Sequence, residues 1–162
     1  MELKTLHKSA IAAALEKARH YRLLNDPENA ESICHDILRI EPDHQGALIT
    51  LILAMTDQFD GGSERTNEAR SYLDRLKDHY DREYYAGLIC ERRAKTILAG
   101  KSPMAKYAAF DWFERAMKHF SEAEGKRSPD NDDAILRWNS CMRMIQRHRL
   151  EPHPDEDRPY GD

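Results

Sequence analysis

Three segments of this chain carry one spacing. Ala30-x3-Cys34-x2-Ile37, Ala69-x3-Leu73-x2-Leu76 and Ala109-x3-Phe113-x2-Ala116 each set a small residue one turn before a larger apolar one, with another apolar residue a turn further on. That is one face of an α-helix. The copies start 39 and 40 residues apart. A chain that repeats one helical unit at a fixed period stacks the copies, because no single unit can bury its apolar face alone.

The first unit can be read in full. Residues 12–42 form two amphipathic helices, with Ala14, Ala18 and Tyr21 on one face of the first and Ala30, Cys34, Ile37 and Leu38 on one face of the second. Asn25-Asp26-Pro27 turns the chain between them. Asp26 is suited to the N-cap and Pro27 to the first helical position. Pro42 ends the second helix. The pattern resembles the tetratricopeptide repeat (TPR) family, whose signature has a small residue and an aromatic in its first helix, A-x3-F in its second and a closing Pro. Ala18-x2-Tyr21, Ala30-x3-Cys34 and Pro42 match it, with Ala14, Ala18 and Cys34 in place of its Trp, Gly and Phe. The family period is about 34 residues, so the excess here falls in turns and lengthened helices. In the third repeat Cys90, Ala94 and Ile97 share the Ala14, Ala18, Tyr21 spacing, and Gly87 is a rival for the small position.

The remaining elements follow in order. The first helix is expected over 4–24 and the second over 27–40. Asp43 or His44 starts a third, whose segment GALITLILAM is apolar nearly all round and so belongs in the middle of the stack. Residues 58–62 form a loop with paired glycines, and Ser63 caps a fourth helix carrying Ala69, Leu73 and Leu76. A fifth runs from Asp81 to Ala99, Ser102 and Pro103 open a sixth, and Asn131 or Asp132 caps a last one. Trp138, Cys141, Met142 and Ile145 give that last helix an apolar face to seal the stack. Trp112 and Trp138 are expected to pack in the core. The fold class is all-α: a TPR-like α-solenoid of three helical hairpins plus a C-terminal capping helix, about seven helices. The repeat domain is expected over 1–148. Residues 149–162, rich in proline and acidic charge, form an expected flexible tail.

Composition narrows the function. The chain has 162 residues, which suits one domain. A net charge of −4 argues against nucleic acid as partner. Glu16 and Lys17 interrupt the only N-terminal apolar run, so no signal peptide is expected. No apolar run has the length of a membrane span. Three well-separated cysteines, Cys34, Cys90 and Cys141, read as buried thiols in a reducing compartment, and a cytoplasmic location is expected. The eight histidines form no HExxH and no zinc-type Cys/His pairing, no glycine-rich phosphate loop occurs, and neither a metal nor a cofactor is expected.

The resemblance implies a non-catalytic scaffold or adaptor that binds a protein or peptide in a concave groove lined by the first helices. The groove candidates are Leu15, Arg19 and Arg22 in the first helix, Ile49, Thr50 and Leu53 in the third, Arg92 and Lys95 in the fifth, and Asn139 and Arg143 in the last. An apolar floor with several cations would suit an acidic partner. One class of these repeats grips a terminal carboxylate through Lys and Asn in its first repeat; Leu15 and Arg19 stand there instead, so that class is not matched. The same arginines also read as solvated helix surface, paired with acids such as Glu16 and Glu91. The basic cluster Arg143, Arg147, His148 and Arg149 opposes the acidic tail residues Asp155, Glu156 and Asp157, which could fold back over it. Two other classes stay open: a structural subunit that self-associates as a homo-oligomer, and an enzyme whose site is assembled only in three dimensions.

Overall fold

The computed structural model describes residues 1–60, 62–100 and 102–154. The described residues form seven α-helices and no strand: α1 (Ile11–Leu23), α2 (Pro27–Ile40), α3 (Gln45–Thr56), α4 (Glu64–Ser71), α5 (His79–Ala99), α6 (Ala105–Glu124) and α7 (Asp133–His148). Each helix packs on the next. In addition α1 touches α3, α3 touches α5 and α5 touches α7, whereas α2, α4 and α6 make no comparable contact with one another. The odd helices are therefore the closely spaced inner row, and the even ones stand behind them. This is the two-layer arrangement of a helical repeat.

The sequence signals explain most of these elements. At the start of α2, Asp26 accepts a bond from the Asn29 amide and Pro27 occupies the first turn. Ala30, Cys34, Ile37 and Leu38 are all buried on that helix. Before it, Asn25 takes the left-handed conformation (φ 59°), and the Asp26 amide reaches back to the Tyr21 carbonyl at 2.9 Å, closing α1. His44 caps α3 through Nδ1, which accepts from the Ala47 amide at 3.2 Å. Burial along α3 extends all round, as its composition requires.

Four expectations are corrected. The first helix begins at Ile11, not residue 4. A 3-10 turn over Lys8–Ala10 precedes it, His7 is extended and Leu3 is exposed, and of the upstream leucines only Leu6 packs against the core. The fourth helix stops at Ser71, where Ser71 Oγ donates to the Glu68 carbonyl at 2.6 Å. Leu73 then sits in a 3-10 turn and Leu76 in extended backbone, although Leu76 is fully buried. Gln45 makes that break tolerable: its amide donates to the Arg75 carbonyl and accepts from the Lys77 amide. α6 begins at Ala105, after a turn that contains Pro103, with Ser102 Oγ accepting from the Met104 amide. Ser63 makes no side-chain cap; Asn131 does, accepting from the Asp133 amide at 3.0 Å.

Two apolar clusters form the core. One joins α1 to α4 and takes Leu76 and Ile89; the other joins α5, α6 and α7 around Phe113 and Phe120. Helix α5 serves both. Gly87 is the point of closest approach to α6, since a Cβ there would lie 2.7 Å from the Phe120 ring. Trp112 and Trp138 are half-buried against the second cluster, and the Arg115 guanidinium stacks over the Trp112 ring.

Packed structure continues beyond His148. Arg149 adopts a left-handed conformation (φ 49°), and the Leu150 amide bonds the Ile145 carbonyl at 3.0 Å. Leu150 is thereby buried in the second cluster, Glu151 pairs with Lys106, and the His153 ring meets Tyr107 edge-on. The expected tail boundary at 149 thus falls before residues that dock on α6. The rest of that expected tail, 155–162, with Asp155, Glu156 and Asp157, lies outside the described residues.

Candidate functional site

Residues of α1, α5 and α7, with Asp57 just after α3, form one line of ion pairs. Arg22, near the end of α1, donates Nε to Asp57 Oδ2 at 2.8 Å. Asp57 caps the C-terminus of α3, and Arg92 Nη1 of α5 lies 3.6 Å from its other oxygen. One helical position before Arg92, Glu91 pairs with Lys95 and with Arg137 Nη1 of α7, the latter at 3.4 Å. Charges thus alternate from α1 to α7 across the inner face.

The middle of this line opens into a cleft of about 430 Å³, lined by Arg22, Asn25, Pro27, Thr56, Asp57, Phe59, Arg92, Lys95 and Thr96. Pro27 and Phe59 supply apolar walls. The Asp57 side chain is 20% exposed, whereas Glu91 is 0% exposed. One Glu91 oxygen and the Arg92 Nε are buried without a hydrogen-bond partner. Burial opposes the Arg137 charge, but a bond with Tyr84 and the nearby Glu91 more than offset it, and the guanidinium is held above its usual range.

The expected groove residues divide into three groups. Arg22, Arg92 and Lys95 meet at the cleft. Leu15 and Thr50 do not face a groove. Leu15 is 8% exposed and packs in the first cluster, and Thr50 is buried with Oγ1 donating to the Gly46 carbonyl. Gly46 is the cause, since a Cβ there would sit 2.8 Å from Leu15 Cδ2. It lets α3 close onto α1 and seals the strip between them. The rest stand apart from the cleft: Ile49, Leu53 and Asn139 are half-buried, and Arg19 and Arg143 are exposed, Arg19 pairing with Glu16 as a surface pair would.

Asp57, Glu91 and Arg137 complete the line without having been singled out for it. The i,i+4 spacing of Glu91 and Lys95 was a visible signal. Its burial was not, because a charged residue in a polar stretch reads as surface. Asp57 follows the last turn of α3, where helical periodicity carries no information.

Elsewhere, polar groups tie the scaffold together. Arg65 of α4 forks onto both oxygens of Glu31 on α2 at 3.1 and 2.6 Å, and Gln58 donates to the same carboxylate at 2.6 Å. On the outer side His119 Nδ1 lies 2.8 Å from Glu83 Oε2. The three cysteines are free and buried, and burial pushes the Cys34 and Cys141 thiols up to about 12 and Cys90 to about 11. No group of three His, Cys, Asp or Glu side chains that could hold a metal occurs among the described residues. No helix among them is long and apolar enough to cross a membrane.

In comparisons with protein-family models, curated proteins and solved structures, nothing matches this chain.

Proposed function

We propose that this chain is a non-catalytic interaction module of the TPR type, a cytoplasmic scaffold that holds a peptide or a partner helix against its inner row. One observation carries the reading: α1, α5, α7 and the residue that follows α3 feed charged side chains into one line, opening at a polar cleft flanked by Pro27 and Phe59. Ile49 and Leu53, on the central helix of the same row, are half-buried and lie outside the cleft lining. Three buried, unpaired thiols suit the reducing interior of a cell. Panning a displayed random-peptide library against the full chain tests the reading. The expected binders lose affinity on Arg92→Glu and keep it on Lys118→Glu, on the outer helix α6. No enrichment, or equal sensitivity to both changes, refutes it.

A second reading, self-association through the ends of the row, has its own support. Leu6, Ala10, Ala13, Ala14 and Ile33 line an apolar hollow of about 290 Å³ at the α1 end, and Leu136 on α7 is 63% exposed. Sedimentation across a hundredfold concentration range separates the two, since only self-association raises the mass.

A further inference from the structure

We propose that Asp57 is a built-in stand-in for a ligand carboxylate, and that the inner cleft receives an acidic peptide segment which displaces it. The inference rests on the reading of the inner row as a binding face and names what binds there.

The first ground is the charge count. Among the described residues, Arg22, Arg92, Lys95 and Arg137 share two carboxylates in their ion pairs, Asp57 and Glu91. Glu91 is fully buried and already held by Lys95 and Arg137, so it cannot turn towards the cleft cations without leaving the core. Asp57 is therefore the acid that serves the cleft arginines. It serves them unequally: Arg22 receives a 2.8 Å hydrogen bond, while Arg92 Nη1 stays at 3.6 Å, outside bonding distance. The Arg92 Nε is buried without a hydrogen-bond partner, which leaves the terminal nitrogens to meet a ligand. A guanidinium fork is built to take a carboxylate through two parallel bonds, and at Arg92 that fork is unfilled.

The second ground is the surroundings. Pro27 and Phe59 flank the cations, and the cleft holds a few side chains rather than a small ion alone. Once the Asp57 side chain has swung out to solvent, a ligand carboxylate in its place leaves the local charge unchanged and gives Arg92 an acceptor within bonding distance instead of one at 3.6 Å. A dianionic phosphate would instead sit against Asp57 and add repulsion. An acidic stretch of polypeptide, bringing one carboxylate to Arg92 and an aliphatic stem to Phe59, fits these surroundings.

The test uses the full chain and a fluorescein-labelled hexaglutamate peptide, read by anisotropy at low salt, with hexaglutamine as control and inorganic phosphate as competitor. The wild type is expected to bind hexaglutamate weakly and hexaglutamine not at all. Asp57→Asn, which removes the competitor and spares the cations, is expected to tighten hexaglutamate binding roughly three- to tenfold, and Arg92→Gln to weaken it at least tenfold. Should Asp57→Asn fold poorly, the Arg92 Nε–H resonance of the wild type serves instead, and it is expected to shift on adding hexaglutamate and not on adding equimolar phosphate. Unchanged or weaker binding by folded Asp57→Asn, binding insensitive to Arg92→Gln, or displacement of the peptide by equimolar phosphate each overturns the proposal. Failure here is distinct from failure of the interaction module: library binders that are not acidic yet depend on Arg92 would sink the carboxylate exchange alone.

Discussion

Helix α4 is the shortest of the seven and buries only Thr66 and Ala69, so its position depends on the Arg65–Glu31 clamp more than on apolar packing. The informative perturbation is Glu31→Gln, which keeps shape and removes charge. Three bonds are affected, two from Arg65 and one from Gln58: one acceptor oxygen becomes an NH2 and loses its bond, and the others weaken as the acceptor loses its charge. The difference between charge-assisted and neutral bonds is about 1 kcal/mol per bond. Arg65 is 29% exposed and recovers some hydration when the charge is gone, which trims the sum to about 1–2 kcal/mol. Native-state hydrogen exchange should show the amides of 64–71 opening roughly 5–30-fold more often, while the amides of α6 hardly change. The effect should also depend on pH. Burial tends to raise the Glu31 carboxyl, but the bonds from Arg65 and Gln58 outweigh it, and the group is held below its ordinary 4.5. A carboxyl depressed in the folded state contributes stability that is complete above its unfolded value and lost as pH falls through the folded one. Wild type and Glu31→Gln should therefore differ most above about pH 4.5 and converge in stronger acid. A uniform gap at every pH, or equal exchange of α4 in both proteins, would refute the assignment of α4 to this clamp.

Three further outcomes are expected. Arg149→Gly should stabilise the fold by roughly 0.5–1 kcal/mol in urea titration, because a side chain in the left-handed region is strained there and glycine is not. Iodoacetamide at pH 8 should modify Cys34 and Cys141 only as fast as the chain unfolds, since thiols pushed up to about 12 are hardly ionised and are buried; labelling at a free-peptide rate would count against the packing. The Glu91 network should be asymmetric. Removing both cations, Lys95→Met with Arg137→Met, strands a buried carboxylate and should cost about 3–5 kcal/mol, whereas Glu91→Gln should cost much less, as denaturation midpoints would show.

The sequence spoke most clearly where local chemistry and periodicity agreed. Asp26, Pro27 and Pro42 bracketed α2, and its four core residues followed from spacing alone. Burial of Ala69, Ala109 and Phe113 was equally legible. What local pattern misses is the backbone satisfied from afar: α4 ends early because Gln45, some thirty residues upstream, supplies partners for 75–77. The candidate site was half legible. Cations at Arg22, Arg92 and Lys95 could be assigned to the inner row, but whether neighbouring helices leave a gap or close it depends on interhelical distance. Gly46 closed the gap at Leu15, and nothing in the spacing around it announces that. Asp57 and Glu91 escaped because one lies beyond a helix end and the other hides a full charge inside the protein.

The division into two apolar clusters has a mechanical meaning. Helix α5 turns Ile89 and Tyr85 to one cluster and Cys90, Ala94 and Tyr84 to the other, so it is the leaf common to two packed blocks. The Arg22–Asp57–Arg92 pairs fasten the first block to the shared leaf on the inner side. The cleft opens between the first block and α5, with Arg22, Asp57 and Phe59 on one wall and Arg92, Lys95 and Thr96 on the other, so under the proposed function an occupant would bridge the two and bear on the angle between them.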